Sequence, residues 1–217
     1  MTAGFVTPGR DWFARPAVEI APELLGARLA HDADAGRTVL RITEVEAYLG
    51  IGDDPGSHAF RSRTRRNDVM FGDPGRLYVY FTYGMHTCAN IVCSPPGTAS
   101  AVLIRAAEVV EGVDLAHARR GHAPLRDLAR GPARLTVAAD IRLDQNGADL
   151  LGAPFEFEVA DRPPPHSAGP RVGVSGDGGG ADYPWRFWIP GDPTVSLYRA
   201  ATRRGARPPR TQPPTPG

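Results

Sequence analysis

The chain contains no lysine, and all 25 basic residues among its 217 residues are arginine. A mechanism in which a lysine amine forms a Schiff base is therefore excluded. Only the amine of Met1 could take that place, and nothing in the residues around Met1 indicates such a role.

Cysteine is almost as scarce, since Cys88 and Cys93 are the only two. Two cysteines cannot complete a four-ligand zinc site, and without a secretion signal we expect reduced thiols. No apolar run approaches the length that crosses a bilayer, and the N-terminal residues lack the apolar core of a signal peptide. We therefore expect a cytoplasmic protein without membrane contact, and the length favours one domain with a sizeable core.

The net charge of +1 conceals an uneven distribution of arginine. Residues 61–76 hold five arginines against two aspartates, and residues 185–217 hold six against one. Such blocks are either solvated loops or surfaces that dock on a polyanion. In the first block, Arg61, Arg63, Arg65 and Arg66 could contact phosphates, because guanidinium groups match phosphate geometry.

Helices and strands are mixed without a regular βαβ alternation, which favours an α+β fold with a mostly antiparallel sheet. We expect the sheet to be curved, with helices packed on it and a protruding β-hairpin. We expect one compact domain over residues 1–198 and a disordered Arg/Pro-rich tail over 199–217. Strands are predicted at 38–48, 77–82, 86–93, 100–109, 171–176 and 185–191. Helices are predicted at 17–32 and 112–121, with a third that a Gly-Pro turn opens at Pro132.

Parity along the predicted hairpin separates its tyrosines. Leu77, Val79 and Phe81 share the apolar face that we expect toward the core, and Tyr78 and Tyr80 share the other. On the return strand His86, Cys88 and Asn90 alternate with Thr87, Ala89 and Ile91. Tyrosines often fill half-buried strand surfaces, which is the simpler interpretation for Tyr78.

Tyr83 differs from the other tyrosines because it precedes Gly84, a residue suited to the tight turn of the hairpin. A ring at the exposed end of a hairpin has no core to enter. An aromatic side chain placed there is suited to a wedge that enters a stack of bases.

The strand "TEVEAYLG" places Glu44 and Glu46 on one face with Tyr48 beyond them. One of these carboxylates is expected to be solvated or ion-paired. The two lie too close together to flank a scissile bond from opposite sides, although one could act as an acid or base. A metal site with Asp53, Asp54 and His58 lacks the spacing of a strong ligand motif. The stretch "GVSGDGGG" does not open a helix, so a dinucleotide-binding loop is excluded.

At these residues the sequence resembles the alkyladenine (3-methyladenine) DNA glycosylase family. The matching stretches are "RITEVEAYLG", "PGSHAFRSRTRRNDVMFGDPGRLYVYFTYGMHTCANIV", "AVLIRAAEVVEG", "GPARL" and "RVGVSG…PWRFWIPG…VS". They follow the family's order from about residue 12 to residue 198. The resemblance implies a single domain that binds double-stranded DNA containing damaged purines and hydrolyses the N-glycosidic bond, without a metal or cofactor.

The resemblance also implies roles for individual residues. Glu46 would be the general base that activates water, and Arg105 would lie near that water. Tyr48, His58 and Tyr80 would line the base pocket.

Further residues would select the base and contact the DNA. Asn90 would exclude normal guanine, and Tyr83 would intercalate, with Met85 beside it. Arg134 in "GPARL" would contact a phosphate, at a position where the family often has lysine. Two other departures are Val45, where threonine is common, and a loop before His58 that is one residue longer.

The residue types suit that chemistry. A purine must leave the base stack before its sugar carbon can be attacked, and Tyr83 could fill the gap. Tyrosine rings stack on cationic alkylated bases with a gain of about 0.5–2 kcal/mol. Without lysine, we expect a monofunctional hydrolase that leaves an abasic site. We also expect a monomer that acts in the nucleoid of a bacterium.

Two other functions remain open on the sequence alone. The same aromatic and arginine residues could serve a non-catalytic damage sensor or a single-strand binder. An RNA-modifying or formyl-transfer protein of related fold is a third possibility. The role of Glu46 distinguishes the enzyme from the sensor.

Overall fold

The computed structural model describes residues 4–82 and 86–201 of the chain. In this part, nine strands form one sheet, in chain order β1 Phe5–Val6, β2 Arg28–Ala33, β3 Gly36–Tyr48, β4 Leu77–Thr82, β5 His86–Val92, β6 Ala101–Glu111, β7 Phe155–Ala160, β8 Ser167–Gly169 and β9 Arg186–Trp188. The α-helices are α1 Arg10–Phe13, α2 Ala17–Ile20, α3 Val113–Arg120 and α4 Pro132–Ala138. Short 3-10 helices lie at Ala21–Leu24, Asp68–Phe71, Leu125–Asp127, Leu143–Gln145 and Asp177–Gly179.

The strands of the sheet pair antiparallel at each of their contacts. Their order is β1-β7-β2-β3-β6-β5-β4, while β9 pairs with β3 and β8 pairs with β9. Helices and an antiparallel sheet in one body confirm the α+β prediction.

Strand β3 is the centre of the sheet. It pairs with β6 along most of its length, with β2 over its first half and with β9 at Glu44–Glu46. Five of its thirteen residues are β-branched, a residue type that favours strands. The ladder with β6 is irregular on both sides of Glu44, which is the point where the catalytic candidates lie.

Alternation along four neighbouring strands separates two faces of the sheet. One face packs into the main core through Val45, Ala47, Val102, Ile104, Ala89, Ile91, Leu77 and Val79. The opposite face has a smaller apolar cluster at one end, formed by Ala59, Met70, Phe71, Tyr78, Val92, Ala99 and Ala101. The rest of that opposite face borders a cavity.

The hairpin β4–β5 protrudes, as predicted, because β6 pairs only with Asn90–Val92 of β5. The outer part of the hairpin therefore has no strand beside it on that edge. For this reason the expectation that Phe81 packs in the core is wrong, and Phe81 is 48% exposed. Leu77 and Val79, nearer the sheet, are buried as expected.

The helix expected over residues 17–32 forms only in part. The α-helix ends at Ile20 and continues as a 3-10 helix that has Pro22 in its first turn. Gly26 then adopts φ +81°, and Arg28–Ala33 pair with β3 and β7 as a strand. Two sheet neighbours outweigh a local helical spacing here.

The strand expected over residues 171–176 is wrong, since this segment is a loop. Gly173 and Gly176 both adopt φ +71°, which a strand does not accommodate. The strand expected over 185–191 is confirmed as β9. The strands expected at 38–48, 77–82, 86–93 and 100–109 are confirmed, as are the helix at 112–121 and the helix start at Pro132.

Two further statements concern the part of the chain that the structure describes. No helix there combines the length and the apolar character needed to cross a membrane. The predicted tail begins at Arg199, and its residues 202–217 lie outside the described residues.

Candidate active site

Alternate residues of β3, β6, β5 and β4 form the floor of a cavity of about 420 Å³. The lining residues are Glu46 and Tyr48 on β3, Leu103 and Arg105 on β6, Cys88 and Asn90 on β5, and Tyr78 and Tyr80 on β4. Their neighbours along each strand point into the main core, so the alternation of the strands brings these side chains together.

Three segments form the walls of the cavity. They are the loop at 55–58, the loop at 172–175 and the start of α4 at Pro132 and Ala133. The volume lies within the range typical of sites for small molecules, about 300–1,000 Å³. The lining is mixed, with aromatic rings on one side and a carboxylate and a guanidinium group on the other.

Glu46 is fully buried at the bottom of the cavity. Its Oε1 accepts a hydrogen bond of 2.7 Å from the main-chain N–H of Val172, and its Oε2 accepts one of 2.9 Å from the hydroxyl of Tyr48. Nε of Arg105 lies 3.6 Å from Oε1. Both oxygens are thus fixed in position, and their donors come from separate parts of the chain.

Burial raises the pKa of Glu46 above its ordinary value, while Arg105 and the two hydrogen bonds oppose that rise. The pKa of Tyr48 is raised well above its ordinary value by burial and by the Glu46 charge, so the phenol keeps its proton. A carboxylate with a raised pKa that faces a cavity is suited to accept a proton from water.

Glu44, two residues earlier on β3, is fixed by a different set of groups. It accepts hydrogen bonds from Nε of Arg186 at 2.6 Å and from the main-chain N–H of Ser196 at 2.7 Å. Nε of Arg105 lies 3.1 Å away, between the two glutamates. The expectation that one glutamate is solvated or ion-paired is confirmed for Glu44, which is ion-paired and holds Arg105 beside Glu46.

Three aromatic residues meet on the opposite side of the floor. The rings of Tyr78 and Tyr80 lie 5.3 Å apart, and the ring of His58 lies edge-on, 4.6 Å from Tyr80. Nδ1 of His58 is 3.2 Å from the hydroxyl of Tyr78. Burial lowers the pKa of His58 to about 4, with a further contribution from Arg66, so the imidazole is neutral at physiological pH. The structure therefore brings His58 to the cavity despite the longer loop.

Asn90 is buried on the floor, directly across from Tyr78 in the hairpin. Its Nδ2 donates a hydrogen bond of 2.9 Å to the main-chain carbonyl of Tyr78. This bond fixes the amide group in a single orientation beside the cavity. A base that enters the cavity would meet a polar group whose direction is set.

The predicted DNA-binding arginines lie on the surface. Arg61 and Arg65 are exposed. Arg63 pairs with Asp68 at 2.6 Å, also on the surface. Arg66 donates to the carbonyl of Phe81 at 3.3 Å, and its Cζ lies 5.2 Å from the Tyr80 ring centroid, at the rim of the aromatic side.

Arg134 lies in the first turn of α4, close to the wall residues Pro132 and Ala133, and its side chain is half exposed. Its Nη1 is 3.9 Å from Oδ1 of Asp127. Tyr83 and Met85, expected at the tip of the hairpin, lie outside the described residues.

Sequence reasoning missed Arg171 and assigned no role to Asp54 beyond a weak metal hypothesis. Arg171 is fully buried and forms a two-fold ion pair with Asp54, with both contacts at 2.6 Å. A buried arginine has no periodic signal in a sequence, and "RVGVSG" resembled a strand. No three His, Cys, Asp or Glu side chains are grouped to hold a metal ion within residues 4–82 and 86–201.

Comparison with known proteins gives consistent matches over most of the chain. The family model described as Methylpurine-DNA glycosylase matches residues 11–193. A protein of Leifsonia xyli named "Putative 3-methyladenine DNA glycosylase" is 61% identical over 197 residues, which are 88% of this chain and 92% of that protein. Proteins of the same name from Streptomyces avermitilis and Corynebacterium efficiens are 53% and 46% identical, over 91% and 86% of this chain and 94% of each relative.

Proposed function

Since the chain belongs to the methylpurine-DNA glycosylase family, we propose that Glu46 is the general base with which it releases alkylated purines such as 3-methyladenine from duplex DNA. The chain is a DNA repair glycosylase, and such enzymes hydrolyse the N-glycosidic bond. The observation that carries the assignment of Glu46 is its position at the bottom of the cavity, with both oxygens held by hydrogen bonds.

In the proposed reaction, a carboxylate oxygen of Glu46 takes a proton from water as the water oxygen bonds to C1′ of the sugar. The bond between C1′ and the purine nitrogen breaks, and its electron pair leaves with the base. A purine alkylated at N3 or N7 carries a positive charge before the bond breaks and therefore departs as a neutral molecule. The negative charge of Glu46 also stabilises the positive charge that develops on the sugar.

Arg105 supports the ionised form of Glu46, the proposed general base. Its positive charge, 3.6 Å from Oε1, favours the ionised carboxylate and lowers the pKa that burial raises. Glu44 and Ser196 hold the guanidinium group through Nε, at 3.1 and 3.2 Å. Arg105 is therefore fixed beside Glu46 before substrate binds.

The aromatic residues of the cavity are suited to hold the extruded base. Tyr48 beside Glu46 and Tyr80 on the opposite side offer ring surfaces for stacking, which adds a cation–π attraction for a cationic base. His58, neutral because its pKa is lowered to about 4, adds no repulsion against such a cation. Asn90 is assigned the rejection of normal guanine, because an ordered amide group can oppose an exocyclic amine.

Contacts with the DNA backbone are assigned to the exposed arginines around the cavity. Arg66 lies beside Tyr80, and Arg61, Arg63 and Arg65 are exposed in the same segment of the chain. Arg134 follows the wall residues Pro132 and Ala133 in α4. Tyr83 is assigned the wedge that fills the stack after the purine leaves, with Met85 next to it. A DNA substrate supports action in the bacterial nucleoid.

The absence of lysine supports a monofunctional reaction that ends at the abasic site. A non-catalytic damage sensor would need no carboxylate fixed at the bottom of the base cavity. The buried and oriented Glu46 therefore favours the enzyme.

The experiment compares wild type with Glu46→Gln on duplexes that each carry one damaged purine, and measures alkali-labile sites under single-turnover conditions. We expect base release to fall by at least about 100-fold, as is typical when a general base is lost, with duplex binding retained. Glu111→Gln, a change at an exposed glutamate outside the cavity, is the matched control. Equal release by Glu46→Gln and wild type would remove Glu46 from the reaction.

A further inference from the structure

Arg171 is a fully buried cation that has no direct contact with the reacting atoms in the proposed mechanism. Its guanidinium group binds both oxygens of Asp54 at 2.6 Å, and Nη1 donates to the main-chain carbonyl of Ala47 at 2.9 Å. Nη2 donates to the carbonyl of Gly178 at 2.6 Å. One side chain thus joins β3, the loop after it and the loop at 171–178.

Both hydrogen-bond donors of Glu46 adjoin this cation. Val172, whose N–H binds Oε1, is the next residue in the chain. The ring of Tyr48, whose hydroxyl binds Oε2, lies with its centroid 4.4 Å from Cζ of Arg171. Ala47, which accepts from Nη1, follows Glu46 directly. The guanidinium group therefore sets the position of the carboxylate's strand and of both its donors.

Asp54 extends the connection to the facing wall. It accepts hydrogen bonds from the main-chain N–H groups of Leu49 at 3.1 Å and Gly56 at 2.9 Å, which shape the loop that leads to His58. Gly56 is the residue that permits this arrangement, because a Cβ atom there would collide with Nη2 of Arg171. The ion pair thus fixes two walls of the cavity relative to each other.

We propose that the Arg171–Asp54 ion pair is a positioning device for the general base, which holds the Val172 N–H and the Tyr48 hydroxyl on the two oxygens of Glu46. This inference rests on the proposed function, since it assigns Arg171 and Asp54 to the reaction of that same site. Neither residue touches the substrate, and both act through groups that do.

A purely structural role predicts a different outcome on substitution. A buried ion pair often contributes little to stability relative to well-packed apolar residues. The partners of Arg171, however, are the carbonyl next to Glu46 and the loop that donates to Glu46. Disturbing the pair should therefore alter the ionisation of Glu46, which a stability defect elsewhere would not do.

The charged and titratable groups around Glu46 determine which variants are informative. They are Glu44 and Tyr48 on β3, Arg105 on β6, Tyr80 on β4, Cys88 on β5 and Arg171 in the loop. Arg171→Lys keeps the positive charge but cannot reproduce the planar, multiply bonded geometry. Asp54→Asn removes a negative charge, which by charge alone would lower the pKa of Glu46.

The experiment measures single-turnover base release against pH for wild type, Arg171→Lys and Asp54→Asn, together with the Kd for the lesion duplex. The acid limb is the part of the rate–pH profile in which release declines as the pH falls. In both variants we expect it to move up by about one pH unit, because the donors that are lost favour the ionised carboxylate. Release below the limb should be about tenfold slower, with an unchanged Kd. Arg10→Lys is the control, since Arg10 binds Asp149 and the Pro74 carbonyl and none of these lines the cavity. Its acid limb should match wild type.

The outcomes separate this inference from the proposed function. An acid limb that stays in place in Arg171→Lys and Asp54→Asn, or that moves to lower pH, overturns the positioning role. If Arg171→Lys does not fold, Asp54→Asn alone decides, because its charge effect opposes the expected direction. If Glu46→Gln still releases bases, the proposed function fails, and carboxyl-carbon NMR of Glu46 in the free protein then tests whether the pair controls its pKa.

Discussion

Replacing Tyr48 by phenylalanine removes a single hydroxyl group from the cavity. That hydroxyl donates a 2.9 Å hydrogen bond to Oε2 of Glu46, while the ring that faces Arg171 remains. The bond stabilises the ionised carboxylate, so its loss raises the pKa of Glu46 further above its ordinary value. A hydrogen bond to a charged group contributes about 1.5–3 kcal/mol, which corresponds to a rise of about one to two pKa units.

The direction in which Tyr48→Phe changes activity follows from the role of Glu46 as the general base. Glu46 must be ionised to accept a proton, so base release declines as the pH falls through its pKa. In Tyr48→Phe this decline should begin at higher pH, and the rates of variant and wild type should converge above it. Single-turnover release from a duplex with one purine alkylated at N3 or N7, measured over the acidic and neutral range, checks this prediction.

Tyr78→Phe provides the matched control for the loss of a hydroxyl. The Tyr78 hydroxyl lies 3.2 Å from Nδ1 of His58 and makes no contact with Glu46, so its removal should leave the acid limb in place. Should Tyr48→Phe slow release by the same factor at every pH, the Tyr48 hydroxyl would act on the damaged nucleobase rather than on Glu46. The reasoning from the hydrogen bond would then be refuted.

Two further predictions concern residues outside the described part of the chain. Tyr83→Ala should weaken binding to a lesion duplex much more than it slows base release from single-stranded DNA, where no stack is held open; equal losses in both assays would reject the wedge assignment. Deleting residues 203–217, which carry four arginines, should leave thermal unfolding unchanged and reduce the slope of log Kd against log salt by up to about 3.6. A truncated chain that does not fold would show instead that the tail is structural.

The floor of the cavity could be predicted from the sequence because strand alternation is a local property. Parity alone placed Glu46 and Tyr48 on one side of β3, and Tyr78 and Tyr80 on one side of β4. The resemblance to known glycosylases then supplied their roles. Phe81 escaped the same rule because parity gives the face of a strand but not where the neighbouring strand ends.

The walls of the cavity could not be predicted in this way. Arg171 reaches Asp54 across 117 residues of sequence, and neither residue lies in a periodic segment. The segment that begins at Arg171 looked like a strand, yet Gly173 and Gly176 turn it into a loop with positive φ. The helix expected over residues 17–32 formed only at its start for a related reason, because the pairing of Arg28–Ala33 with β3 and β7 is decided by distant residues.

The alternation on the sheet has a consequence for how this enzyme could change its substrate range. Asn90 and Leu103 line the cavity, while their immediate neighbours Ala89 and Val102 pack in the main core. A substitution at the former can retune which nucleobase is admitted without disturbing the packing beneath. A one-residue deletion within the same strand would exchange the two sets and destroy both the cavity lining and the core packing.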